Sequence, residues 1–249
     1  MRTSIQSTPL TLNNRTIKEK ESEKYLGDFL HSGGDTESTK CTVNDRYWRI
    51  MSSILEIKTI VEDYRNKKKG GIMTGIDLWE MSVIPSLLNN CGSWNMVDTE
   101  TFTKLNKLQN TLLRYLLSTP RSTPIPSLPW EFGILPIKFR IIVKKLCLAK
   151  HITSLEEGSL AKETYETQLK YSFPGLATDA KQLIKSLNLP DITEKEVCNT
   201  YSKLTWKNLV KKTVRKQCEN ELKNEISKLE KLEKSKMCNE EFKPKEYLK

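Results

Sequence analysis

Glycine and proline are scarce in this chain, ten of each among 249 residues, so little interrupts a long helix. Histidine is scarcer, with only His31 and His151. Cys147 and His151 are spaced to share a helix face, but no further His or Cys lies close in sequence. A structural zinc site takes four ligands, so no metal is expected there. Cys41, Cys91, Cys147, Cys198, Cys218 and Cys238 are far apart and form no Cys-x-x-Cys pair, which fits reduced thiols. No apolar run approaches the ~20 residues that span a bilayer. The densest, Ile141-Ile142-Val143, is bracketed by Arg140 and Lys144. Paired aspartates, phosphate-binding glycine loops and nucleophile elbows are also missing. The expectation is a protein with no cofactor and no catalytic centre of its own. Met1 to Asn14 is polar and has no secretory apolar stretch, so an intracellular protein, nuclear or cytoplasmic and not secreted, is expected.

What is present is charge. Hydrophobic residues make up 37% and charged residues 29%, and the formal net charge is +10. From Lys40 to Lys150 there are 17 Lys and Arg against 9 Asp and Glu, whereas from Thr153 to Lys249 the balance is 19 to 16. The first half therefore projects a positive field that attracts polyanions.

Residues 1–22 are polar, then charged, and read as a disordered tail. Lys24 to Leu30 alternates and is closed by Ser32-Gly33-Gly34, which predicts a strand or hairpin arm. Val43, Tyr47, Ile50, Ile54, Ile57 and Val61 recur at spacings of three and four, predicting a helix from about Thr39 to Val61. Arg46 and Arg49 are read as lying off its apolar face. A basic loop, Lys67-Lys68-Lys69-Gly70-Gly71, follows, then a helix from about Gly75 to Ile84, ended by Pro85. Asp98 is the expected N-cap of a helix running to Ser118. Pro124, Pro126 and Pro129 suggest an extended connector, and Ile137 to Ile152 a buried helix. Thr178 or Asp179 starts a short helix before Pro190. Thr193 to Glu196 reads as a capping box opening a long C-terminal helical region.

The Asp98–Ser118 helix is the most informative. Phe102, Leu105, Leu108, Leu112, Leu113 and Leu116 share one side, and Lys104, Lys107 and Arg114 the other. A packed back with a cationic front suits a helix lying along a phosphate backbone, where Lys and Arg displace counterions. The tri-lysine loop and the Arg140/Lys144 pair add to this. The candidate binding residues are thus Arg46, Arg49, Lys67, Lys68, Lys69, Lys104, Lys107, Arg114, Arg140 and Lys144. A second candidate, Lys203, Lys207, Lys211 and Arg215, steps by four through a stretch without acidic residues. Beyond it Glu and Lys alternate, and 219–237 could self-associate through a seam of Leu222, Ile226 and Leu229. The tryptophans read as core, with Trp48, between Tyr47 and Arg49, the exception.

Three segments in order resemble the post-catalytic part of reverse transcriptases of non-LTR (LINE-type) retrotransposons. The first is Lys24-Tyr25-Leu26-Gly27-Asp28 with Asn44-Asp45-Arg46, and the second is Leu78-Trp79 followed by Ile84-Pro85-Ser86-Leu87-Leu88-Asn89-Asn90-Cys91-Gly92-Ser93-Trp94. The third joins Leu105, Leu108-Gln109, Leu112-Leu113-Arg114, Pro120-Arg121-Ser122-Thr123-Pro124 and Glu131-Phe132-Gly133-Ile134-Leu135-Pro136-Ile137. In the second segment Asn89-Asn90 stands where the family has Tyr-Gly, and Gly92 where it has Glu. The resemblance implies a thumb that cradles a template–primer duplex, with Tyr25, Leu26 and Gly27 in a primer-grip-like position. In that family the metal-binding aspartates lie upstream of the Tyr-Leu-Gly stretch, so the implied protein is a non-catalytic remnant.

Together these readings predict a mainly α fold: a small N-terminal β element, a thumb-like helical bundle over 23–152 and a helical extension over 153–249. The expected partner is RNA, DNA or their hybrid, with no membrane. The alternatives are a helical protein–protein interaction module and an open reading frame without a selected function.

Overall fold

The computed structural model describes residues 11–12, 15–16, 19–66, 71–94, 98–229 and 241–248. The fold is mainly helical with a small antiparallel β element, as the composition predicts. Within the stretch read as a tail, β1 (Thr11–Leu12) pairs with β2 (Arg15–Thr16); residues 1–10, 13–14 and 17–18 lie outside the described residues. The predicted arm is a hairpin of β3 (Ser22–Tyr25) and β4 (Asp28–His31). Its two-residue turn places Leu26 at φ 48° and Gly27 at φ 92°. Positive φ at both positions is what joins tightly twisted strands, and Leu26 is strained there.

The hairpin is pinned to α1 (Asp35–Asn66) by side chains of its first turns. Thr42 Oγ1 accepts from Phe29 N–H at 2.8 Å, and Ser38 Oγ from His31 N–H at 2.9 Å. Val43, Ile50, Ile54, Ile57 and Val61 are buried as the spacing requires. The next helix runs further than expected. α2 (Ile72–Leu78) passes through a π-helical turn (Trp79–Val83) into α3 (Ile84–Leu87), and Pro85 lies inside rather than past the end. In the wider turn Ile84 N–H reaches back to Trp79 O, which accommodates a residue that donates nothing and crowds the turn before it.

Asp98 caps α4 (Thr99–Leu117), accepting from Thr101 N–H at 2.6 Å, and Ser118 closes it at φ 52°. α1 lies along α4, and Arg65 near the end of α1 donates to Leu116 O and Ser118 Oγ at the end of α4. The proline segment is compact, not extended: turns lead into α5 (Ser127–Phe132), because Pro124 and Ile125 carbonyls accept from Ser127 and Leu128 N–H.

α6 (Ile137–Thr153) is central, as its apolar content predicts. It contributes Ile137 and Ile141 to a core with α1 to α4, and Phe139, Val143, Leu146 and Ala149 to a second core with the C-terminal helices. Gln109 joins α4 to its start, accepting from Ile137 N–H and donating to Leu135 O, both at 3.1 Å. α7 (Leu160–Tyr171), α8 (Leu176–Ser186), α9 (Lys195–Thr200) and α10 (Lys203–Ser227) follow. The predicted capping box does not act: Thr193 bonds Asp191, and α9 is brief. The long helix starts at Ser202, whose Oγ accepts from Thr205 N–H. Trp206 anchors α10 to α6, its indole donating to Leu146 O at 3.0 Å. Leu222 is buried and Ile226 packed in the second core, so that part of the expected self-association seam is consumed internally; 230–240 lie outside the described residues. Among the described residues no helix is long and apolar enough to cross a membrane.

Candidate functional site

The cationic side chains divide into four environments rather than one. Two of the candidates are internal. Arg46 is only 3% exposed. It donates to Leu87 O at 3.0 Å, Asn89 O and Gly27 O at 2.9 Å, and Asp28 Oδ1 at 2.6 Å, with its guanidinium over the Trp94 ring. It ties the hairpin, α1 and the turn after α3 together, and has no face left for a polyanion. Arg140 is likewise taken, by a two-pronged pair with Glu80 and by Leu135 O. Both expectations of phosphate contact are thereby corrected: burying a guanidinium requires internal acceptors, and these have them.

A second group is exposed but neutralised. Arg49 pairs with Asp45, which also holds Lys24. Lys104 pairs with Glu100 at 2.9 Å and donates to Asn44. These pairs are on the surface and readily exchanged for another anion. Lys67, Lys68 and Lys69 lie outside the described residues. The primer-grip-like Tyr25 and Leu26 are exposed at the hairpin tip, and Gly27 gives its carbonyl to Arg46.

The third group forms the candidate site. Lys107 and Arg114 of α4 and Arg121 of the turn after it line one open groove of about 670 Å³, and no carboxylate lines it. None of the three forms an ion pair with another described residue. The sequence builds it simply. Leu105, Leu108, Leu112 and Leu116 hold one side of α4 in the core, so Lys107, Asn110 and Arg114 line the groove from another. Ser118 then turns the chain so that Thr119 and Arg121 return along the helix. Arg114 Nη2 donates to Thr123 O at 3.1 Å, which fixes that turn. Its Nε, and Thr119 Oγ1, are buried without any hydrogen-bond partner. Donors without partners beside unneutralised cations give the groove the chemistry that suits an oxyanion.

α1 supplies the groove's neighbour. Asn44, Trp48, Met51, Leu55 and Lys58 fall on one stripe at spacings of four and three. Its ends touch α4: Asn44 accepts from Lys104, and Lys58 lies over the Tyr115 ring, 5.0 Å from its centre. Trp48, between them, is 75% exposed and meets Tyr47 edge-to-face at 5.3 Å. The expectation that Trp48 stands out of the core is met.

The fourth group surrounds Cys147. Lys144 of α6 and Lys207 and Lys211 of α10 are exposed and pull its thiol toward ionisation, although burial outweighs them and raises it. Arg215, read with them in the sequence, instead donates to Phe242 O and Gly133 O. Among the described residues no three metal-ligating side chains meet, and His151 finds no cluster with Cys147.

Arg121 is the groove cation that the helical periodicity does not point to, because it lies past the end of α4. The signal was present: an arginine held between Pro120 and Pro124, just past a cationic helix.

No protein-family model, no curated protein and no solved structure matches this chain.

Proposed function

We propose that the chain binds a nucleic-acid backbone, with α4 and the turn after it gripping phosphates and without base-edge readout. The observation that carries this is the carboxylate-free groove of Lys107, Arg114 and Arg121, with Arg114 Nε and Thr119 Oγ1 buried and unmatched. Lys107 and Arg114 are two helical turns apart, about 10 Å along the axis. That span covers about three nucleotides of one duplex strand at roughly 3.4 Å each. Trp48 offers a stacking surface beside the groove for an unpaired base at a duplex end.

The same segments carry the resemblance to non-LTR retrotransposon reverse transcriptases, so the reading extends to an origin. The chain is proposed to correspond to the duplex-cradling thumb of such an enzyme. RNA, DNA and RNA–DNA hybrid all present the phosphates the groove requires.

Fluorescence anisotropy with a labelled RNA–DNA hybrid tests this reading. Lys107→Gln with Arg121→Gln is expected to weaken binding at least tenfold with no change in melting temperature, because both side chains are exposed. Equal affinity of the double variant and the parent would overturn the assignment.

A further inference from the structure

The second half of the molecule holds a different chemistry. Lys150, near the end of α6, is 4% exposed. Its ammonium has no carboxylate within ion-pair distance among the described residues. It donates instead to Cys198 O at 2.7 Å and to Cys198 Sγ at 3.0 Å. An isolated ammonium in the interior costs several kcal/mol, so it calls for a counter-charge. Among the described residues, the group at hand that can supply it is the thiol of Cys198, which α9 presents. Thr153 Oγ1 also lies 3.5 Å from the sulfur.

Cys198 lines a cavity of about 360 Å³ between α6, α7 and α9. Tyr165, from α7, lines it too; its ring is 3% exposed and its hydroxyl is buried with no hydrogen-bond partner. A hydroxyl that is satisfied by nothing in the chain is available to something entering the cavity. The remaining charged groups facing the sulfur have mixed sign: Lys162, paired with Glu157, and Glu156 and Glu166. Asp191 lies beyond, near Tyr165.

We infer that Cys198 is a thiol–disulfide exchange site for a small zwitterionic disulfide, with Lys150 as its fixed counter-ion and Tyr165 as the hydroxyl that engages the ligand. The Cys198 thiolate attacks one sulfur of the incoming disulfide. A new Cys198–sulfur bond forms, the ligand's own disulfide breaks, and its other half leaves as a thiolate with the bonding electron pair. No further oxidant is needed, because the disulfide is itself reduced. Lys162 is placed to stabilise the departing thiolate, and an excess of small thiol reverses the step.

The other cysteines give an internal comparison. Burial pushes the Cys91 and Cys218 thiols up to about 12 and raises Cys147. Burial opposes ionisation of Cys198 as well, but the hydrogen bonds of Thr153 and Lys150 and the charges of Lys150 and Lys162 outweigh it and hold the thiol below its ordinary value.

Peptide mass spectrometry of the whole protein tests the assignment. With iodoacetamide across neutral to alkaline pH, the Cys198 alkylation rate is expected to reach its midpoint below about 8.5, the value of a free thiol, with Cys147 lagging above it. With glutathione disulfide as the probe, the adduct is expected at Cys198 before any other cysteine. Tyr165→Phe is expected to slow that adduct about threefold or more while leaving iodoacetamide alkylation unchanged. Lys150→Met is expected to raise the midpoint; if it does not fold, the parent profile decides alone. A midpoint at or above that of a free thiol would overturn the counter-ion role. Adducts forming first elsewhere, or an unaffected Tyr165→Phe variant, would overturn the ligand site.

Discussion

An arginine's place in this protein is decided by which acceptors the chain brings within its reach. Arg46 and Arg49 are three residues apart on α1, yet one is a structural hub and the other a surface cation. The helical wheel contains the distinction. Arg46 is three residues after Val43 and four before Ile50, at the edge of the apolar face, whereas Arg49 is farther round. What the wheel does not contain is the hairpin that covers that edge and offers Gly27 O and Asp28. Arg46→Ala removes one partner of a buried pair and strands several carbonyls, so a loss of about 3–5 kcal/mol is expected in urea unfolding. A loss within the range of surface substitutions would mean that Arg46 is not the hub. Trp48→Ala should leave stability unchanged and weaken single-strand binding by about 1–3 kcal/mol, read by anisotropy with an oligonucleotide, whereas unchanged affinity would remove it from the interface.

At the scale of the element, a helix start was legible where its cap acts locally and missed where it does not: Asp98 caps α4, whereas Thr193 bonds Asp191 instead of opening the long helix. Asp98 was legible because its side chain does what a cap must do locally. Asp98→Ala is expected to cost about 1 kcal/mol in thermal unfolding. Its carboxyl is held below the usual range mainly by the hydrogen bonds from Thr101. A carboxyl lowered on folding stabilises above its unfolded value and loses that contribution as pH falls through the lower folded one. The difference between parent and variant should therefore persist at neutral pH and vanish in acid; a difference constant down to pH ~2 would contradict the cap. Pro85 misled because the π turn that admits it has no local signature. α7 was missed because its apolar residues at helical spacing are few: Ala161, Tyr165 and Leu169 step by four among polar neighbours, and of the helix only Tyr165 is fully buried. Gly133 marks a further junction. At φ 59° it faces the backbone of Lys243, 2.6 Å from where a Cβ would stand. Gly133→Ala should release the 241–248 segment, seen as faster hydrogen exchange there; unchanged protection would place that segment's anchor elsewhere, in Arg215 and Phe242.

For the molecule as a whole, α5 and α6 both contribute to the two cores, and the two candidate chemistries lie in different parts of the fold. The groove adjoins the core that α1 and α4 share, and the Cys198 cavity lies among the C-terminal helices. The mainly α class and the leucine-packed back of α4 were legible because helical periodicity is local. The composition of the groove was not. Which cations stay free depends on carboxylates distant in sequence, as with Glu80 and Arg140, and on turns that bring Arg121 back to α4. Three free cations in one groove therefore ask less of electrostatics than ten scattered ones would. With three cations in the groove, the logarithm of affinity should fall with the logarithm of salt at a slope of about −2.7, or about 40-fold between 50 and 200 mM. The decisive measurement is that slope, taken for the hybrid duplex with the parent protein and with Lys107→Gln/Arg121→Gln. The variant's slope is expected to be shallower by close to two phosphates; parallel lines, or affinity indifferent to salt, would contradict a phosphate-gripping groove.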